Sequence, residues 1–488
     1  KEEGSEMGNG NTGGSGGNPK NPTKPLPEGV PVTADPQTLN QLNQGVLAVL
    51  KNLTAEQKAR AALPANAPQL IPGASIETLL TAADGVRLRV PGGALNNQSG
   101  PLTLSIGIGT ITTPPRGESG IRVLNPLEYQ RQFDLAGSAG PLAAGAANFT
   151  APVTLAFPIK TGELPEGVTT GQLAVYRWNP DRETWVRLGG VFDAHSNTLS
   201  VPTYHLSTYA VMADQSPAPR RLAGTDRYLT AKAVADQGWK TGADEVVLVN
   251  AVTFADALAA GPLAFKLNAP ILLTDKDTLT PSTREELQRL GVKRITLIGG
   301  TGVIAQGIET ELQAAYGAEN VRRYGGYDRY ETAALIAAAL GTTGQAVLAN
   351  GEDGHYSDAL AISSYAAYHG IPILFTETGA LPEATAQALA AQKIGTTLVV
   401  GGEAVIPASI YNQLPGASRY AGMDSYATAA AIAEGLKLNP NRTYIATGLN
   451  FADALTAGNL AAQTLSPLLM VDRNVPQVSA DYLSRQQG

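Results

Sequence analysis

The spacing of apolar residues changes twice along this 488-residue chain, and each change predicts a different kind of structure. Between Asp35 and Leu63, the positions Leu39, Leu42, Val46, Leu47 and Leu50 recur at three- and four-residue steps, which marks one face of a helix. "LTAEQKARAAL" (Leu53 to Leu63) opens a second helix with Thr54 as N-cap, and Pro64, Pro68 and Pro72 end it. From Val86 the period falls to two. Val86 to Leu95, Pro101 to Ile111, Ala151 to Ile159, Gln172 to Leu188 and Asn197 to Ala213 alternate apolar and polar residues between Gly, Pro and Asn turns. That predicts an antiparallel β-sandwich, with Trp178 and Trp185 paired across the hairpin turn "NPDRE". Past the boundary "DQSPAPR" the alternation stops. "EVVLVN", "APILLT" and "RITLIGG" are almost wholly apolar and separated by helices, as in a parallel sheet covered on both faces.

The last pattern occurs three times. "TFADALAAGPLA" from Thr253 returns as "HYSDALAISSYA" from His355 and "NFADALTAGNLA" from Asn450, so Asp256, Asp358 and Asp453 stand about a hundred residues apart, the size of a small domain. Each unit opens with a helix signature: "RLAGTDRYLTAKAVA", "RYGGYDRYETAALIA" or "RYAGMDSYATAAAIA". The fold expected is therefore multidomain: an N-terminal all-β sandwich followed by three tandem Rossmann/flavodoxin-like α/β units, each complete unit three-stranded and parallel. The expected boundaries are a Gly/Asn/Pro-rich tether over 1–34, a helical segment over 35–85, the sandwich over 86–213 and a linker over 214–219. The units then span 220–318, 319–415 and 416–488. The motif Asp falls in the first turn of its helix. A carboxylate there accepts orphan N–H groups and complements the helix dipole, so Asp256, Asp358 and Asp453 read as structural helix-start carboxylates.

Composition narrows the function. Net charge is −7, which argues against nucleic acid as a partner, and no apolar run is long enough for a membrane span. Cysteine is absent, which removes disulfides, thiolate metal sites and a thiol nucleophile. The four histidines, His195, His205, His355 and His369, lack metal-ligand spacing, and neither a phosphate loop, G-x-G-x-x-G nor H-E-x-x-H occurs. The sequence thus predicts no catalytic residue, no cofactor and no metal site. A chain that begins at Lys1 with a tether reads as a mature exported protein or as a cut segment.

The ordered recurrence of "GTDRY…TA", "FADAL", "PILLT" and "VGG" resembles the type 2 cell wall binding repeat (CWB2) of Gram-positive surface and S-layer proteins. The resemblance covers Arg220 to the C-terminus, slightly over half the chain, and the "VPGGAL" and "HLSTYAVMA" segments give the sandwich a ZU5-like cast. It implies a non-enzymatic surface protein in the cell wall or S-layer, held non-covalently on an anionic secondary wall polysaccharide by a pseudo-threefold assembly. The "PILL" strand is the segment it associates with the polymer, here Pro270, Ile271, Leu272 and Leu273, then Pro372, Ile373 and Leu374, then Pro467, Leu468 and Leu469. Read from the residues alone, these strands are buried and central.

Charge bears on that ligand. From Ala218 to Gly488 there are 20 Lys and Arg against 25 Asp and Glu, and the middle unit carries 4 against 9. A polyanion then needs local cations, divalent-cation bridges or uncharged sugar contacts. Arg227 and Arg329, at matching positions, and Lys276 are the candidates, each weighed against pairing with a neighbouring acid; Ser425 replaces the third arginine. Two alternatives stand beside the anchor: an extracellular protein that self-associates into a layer or filament, and a polysaccharide- or peptidoglycan-active enzyme.

One departure from the pattern concerns unit three. Gly300 and Gly402 each close a Gly-Gly pair 44 residues after the motif Asp, and that step from Asp453 overruns Gly488. The third unit is expected to lack its final strand, leaving a sheet edge open to a donor such as "GVPVTAD" near Gly29.

Overall fold

The computed structural model describes residues 36–48, 50, 69–70, 77–95, 102–115, 120–137, 140–141, 149–215 and 221–486. The tether with its "GVPVTAD" segment, the helix expected over Leu53 to Leu63 and most of the linker lie outside them.

Two antiparallel sheets form the first region. One runs Gln69–Leu70, Leu102–Ile108, Gln130–Gly137, Thr208–Asp214, Leu173–Asn179, Thr184–Gly189, with Ile121–Val123 and Gly140–Pro141 added to its strands. The other runs Val191–Asp193, Thr198–Thr203, Val153–Pro158, Arg87–Val90, Thr78–Thr81. Inward residues of both, among them Leu104, Phe133, Val211, Leu88, Leu155 and Val201, share one core. Trp178 and Trp185 stand opposite in register, with ring centroids 5.4 Å apart. The helix Pro36–Leu47 packs on this region, where Asn43 donates to the Ile121 carbonyl and accepts from the Val123 amide, both at 2.9 Å. The helical segment expected to reach residue 85 is shorter, because Thr78–Thr81 is already a strand. A further strand, Gln130–Gly137, was not expected at all. It carries Arg131, whose buried guanidinium is paired with Asp84 and donates to it through Nε at 2.7 Å.

Three parallel sheets follow, so the chain is a mixed α/β protein. In unit one the strands are Glu245–Asn250, Ile271–Thr274, Arg294–Ile298 and Val321–Tyr324, arranged second, first, third, fourth. Unit two repeats the order with Gln345–Asn350, Ile373–Thr376, Thr396–Val400 and Ala417–Tyr420. The expected three strands are four, because "VRRY" and "ASRY" end as strands before the next unit opens. The expected central "PILL" strand is an edge strand, packed against its unit's opening helix (Arg227–Gly238, Arg329–Leu340 or Ser425–Gly435). Unit three has, among the described residues, the two strands Tyr444–Thr447 and Leu468–Val471.

The β region is fastened where strands of the units begin and helices end. Arg182, at the hairpin tip, donates to Asp244 Oδ1 at 2.5 Å and to the carbonyls of Leu290 and Ala243 at 2.7 and 2.9 Å. Gly190 N donates to the Gln463 carbonyl at 2.7 Å. Gly189 has φ +90°, and a Cβ there would meet that carbonyl at 2.0 Å, so only glycine permits the approach.

Candidate functional site

The opposite ends of the strands carry the helix-start signatures, the motif Asp residues and the Gly-Gly pairs. Each opening helix starts with the same device. Asp226 accepts from Leu229 N at 2.8 Å, Asp328 from Glu331 N at 2.8 Å and Asp424 from Ala427 N at 2.7 Å, so these are the N-caps. Gly224, Gly326 and Gly422 donate their N–H to the hydroxyls of Thr230, Thr332 and Thr428 at 3.1, 3.0 and 3.0 Å. The signature read as a helix start is thus a Gly–Asp–Thr clasp.

Asp256, Asp358 and Asp453 do stand at helix starts but do not cap them. The three carboxylates make no cap bond at the turn Ala257–Ala259 or at the motif helices Tyr356–His369 and Ala452–Ala462; at the last, Asn450 Oδ1 accepts from Ala452 N at 3.2 Å. Their carboxylates face the following unit instead. Burial pushes the Asp256 carboxyl up, and a hydrogen bond with Thr332 and the charge of Arg329 oppose it. Burial drives Asp358 up to about 6 against His355 and Thr428. Asp453 is raised by burial while Arg227, in unit one, opposes. One, two, three and back to one: the contacts close a ring. The Gly-Gly pairs belong to the same packing. Gly299 and Gly401 have φ +111° and +114°, and a Cβ would lie 3.0 Å from Asp256 Oδ2 and 2.9 Å from Asp358 Oδ2. Their constant distance from the motif Asp reflects that contact.

The aromatic residue two places before each motif Asp was missed in the sequence, although it recurs in all three copies. Phe254, Tyr356 and Phe451 converge at the centre of the ring, with centroids 5.3, 5.7 and 6.5 Å apart. The Tyr356 hydroxyl crosses to unit three and donates to the Gly448 carbonyl at 3.1 Å.

The candidate polymer contacts divide. Pro270, Ile271, Leu272, Leu273, Pro372, Ile373, Leu374, Pro467, Leu468 and Leu469 are all buried. Arg227 donates to the Ala251 carbonyl. Arg329 donates to the Gly351 carbonyl and to Asp353 Oδ1, the latter at 2.9 Å, and its guanidinium lies 5.8 Å from the Phe254 ring centre. Arg329 is thus paired with an acid of its own unit, while Arg227 is held by a backbone carbonyl. Lys276 is exposed. Around them the strand ends present Val252 and Leu449, together with Tyr327 (96% exposed) and Met423 (103%) at matching places before the caps. Among the described residues no group of three His, Cys, Asp or Glu could hold a metal, and no helix is long and apolar enough to cross a membrane.

Comparison with known proteins corrects one expectation. The chain is 34% identical over 274 residues to the N-acetylmuramoyl-L-alanine amidase LytC of Bacillus subtilis, covering 56% of this chain and 52% of that protein. It is 34% identical over 295 residues to the amidase enhancer of the same organism, covering 60% of this chain and 40% of the relative. The chain thus spans about half or less of the length of these relatives. The expectation of a non-enzymatic S-layer-type protein is overturned by the first of them, which is an amidase. Neither relative is named as a layer or filament protein, and self-association has no support among them. Cwp6 from Clostridium difficile, at 24% identity and TM-score 0.52 over 68% of this chain and 62% of that one, shares the fold. The cell wall binding domain 2 (CWB2) profile matches residues 221–309, 323–411 and 419–486, together half of the chain, with each match taking in one motif Asp. The chain belongs to the cell wall binding domain 2 family.

Proposed function

We propose that the three repeats hold this chain on a cell wall polysaccharide, through the ring face at the C-terminal ends of their strands, and that it serves peptidoglycan amide hydrolysis there. The observation that carries the reading is the division of the ring into two faces. The β region occupies the face where strands begin, while the motif residues gather at the other. In open α/β sheets ligands bind outside the carboxyl ends of the strands, where the strand order reverses, and the second-first-third-fourth order puts that point beside Asp256 and Gly299. The same order supports a Rossmann/flavodoxin-like arrangement for units one and two, and the shared core of the antiparallel sheets supports a sandwich that acts as a spacer. The buried "PILL" strands serve by building the unit junctions. Polymer contact falls to the exposed residues of the face, to the outward edges of Arg227 and Arg329, and to Lys276. The amidase step comes from the relatives, one an amidase and one an amidase enhancer.

Sedimentation with purified walls tests the first part: the chain should pellet with intact walls and stay in solution with walls stripped of secondary polysaccharide. Equal pelleting would refute the polysaccharide. Release of free amino groups from walls, by the chain alone and with an added amidase, tests the second. No increase in either arm would refute it.

A further inference from the structure

We propose that the seam between the β region and unit one holds a site for one small inorganic anion, about the size of chloride. A cavity of about 20 Å³ lies there, which is room for a single water molecule or halide ion. Arg177 comes to it from the strand Leu173–Asn179, His205 from the turn after the strand Thr198–Thr203, and Lys266 and Asn268 from the end of the unit-one helix Ala260–Lys266. Tyr204 and Phe265 close the wall, and no acidic residue lines it.

The basic groups around this cavity lack counter-charge. Arg177 makes no ion pair among the described residues, and its buried Nε has no hydrogen-bond partner. Lys266 donates to the carbonyls of Ala339 and Leu340 at 3.2 and 2.7 Å, which leaves one ammonium hydrogen and the whole charge unmatched; its Nζ stands 5.4 Å from the centre of the Tyr204 ring. The next cations, Arg294 and Arg322, both pair with Glu245, so that carboxylate is already shared. Burial pushes the His205 imidazole down to about 3, and Arg177, Lys266 and Arg294 push it the same way with no carboxylate opposing them. Burial lowers Lys266 as well, with Arg322 adding to the effect. Unpaired charge and unmatched donors are costly away from water. A water molecule matches this wall poorly, because it must donate as well as accept and Arg177 and Lys266 only donate. A halide accepts from every side and supplies the missing negative charge. Bound there, it joins the β region to unit one alongside the Arg182 contacts.

The site is independent of wall binding. Its probes are chloride and bromide, with gluconate, an anion too large for the cavity, as the control. Thermal unfolding of the full chain, with sodium chloride replacing sodium gluconate at constant ionic strength, should show Tm rising by about 2 °C or more and levelling off below about 0.2 M chloride, and bromide should do the same. Arg177→Gln removes an uncompensated cation, so it should hold or raise Tm in gluconate and lose at least about half of the chloride-dependent rise. A substitution that merely damaged the fold would lower Tm equally in both salts. The chlorine NMR line of dissolved chloride gives a second reading that needs no variant: the full chain should broaden it, and added bromide should reverse the broadening. The site is overturned if chloride and gluconate give the same Tm, if Arg177→Gln keeps the whole chloride-dependent rise, or if the wild-type chain leaves the chlorine line unbroadened. Should Arg177→Gln fail to fold, the wild-type chlorine line decides alone, in favour if bromide reverses its broadening and against if no broadening occurs.

Discussion

The first strands of units two and three occupy the same place in the motif order and have opposite surroundings. In unit two Leu348 lies between two neighbouring strands and is fully buried; in unit three its counterpart Ile445, paired on one side alone among the described residues, is 50% exposed. The motif helix behind Ile445 is nonetheless as deeply buried as that of unit two. Asn459 on it reaches into unit one and donates to the Ala269 carbonyl at 2.7 Å, and Gly458 lies so close to unit two that a Cβ would meet Ser363 Oγ at 2.3 Å. The ring, more than its own sheet, holds unit three in place.

The largest effect expected from that contrast is a core truncation. Leu348→Ala leaves a cavity in a filled sheet and should cost about 2–5 kcal/mol in denaturant unfolding, whereas Ile445→Ala, already half in water, should cost under about 1 kcal/mol. Equal costs would break the comparison. A step smaller is the response to acid. The folded Asp358 carboxyl titrates at about 6 against an ordinary 3.8, so the native state binds the proton more tightly than the unfolded chain. Stability should therefore rise as pH falls from 7 through about 6 towards 4, by something on the order of 1–3 kcal/mol. Asp358→Asn should flatten that rise and stabilise the protein at pH 7. A melting curve for the variant with the wild-type pH slope would remove Asp358 from the account. Smallest is the clasp that all three units share. Asp226→Ala, Asp328→Ala and Asp424→Ala should each cost about 1 kcal/mol, and a much larger loss in unit three alone would mean that its opening helix carries more than a cap.

The repeats were legible because their motifs recur with nearly constant spacing and their strands are apolar. What was not legible depended on partners far away in sequence. The central strand Gln130–Gly137 was not among those expected; it buries a charged residue, Arg131, whose neutralising partner Asp84 lies 47 residues earlier. Val321–Tyr324 and Ala417–Tyr420 are four residues long and half-exposed, so no period betrays them. The motif Asp was rightly placed at a helix start and wrongly given a cap, because its neighbours belong to the next unit around the ring. A chain read one unit at a time shows a carboxylate and a helix, and supplies the nearest explanation. The convergence of Phe254, Tyr356 and Phe451 was visible as a recurrence, but only ring closure gives it a meaning.

The central claim is that the motif face of the ring meets the wall. Tyr327 and Met423 stand on that face, are fully exposed and support nothing in the fold, so a Tyr327→Glu, Met423→Glu double variant adds negative charge there and leaves the core alone. Leu79→Glu does the same on the β region, where Leu79 is 57% exposed. Sedimentation with intact walls should show the double variant bound at least about tenfold more weakly at unchanged Tm and the Leu79 variant bound as wild type. Wild-type binding by the double variant, with loss in Leu79→Glu, would contradict the assignment and move the wall contact to the β region.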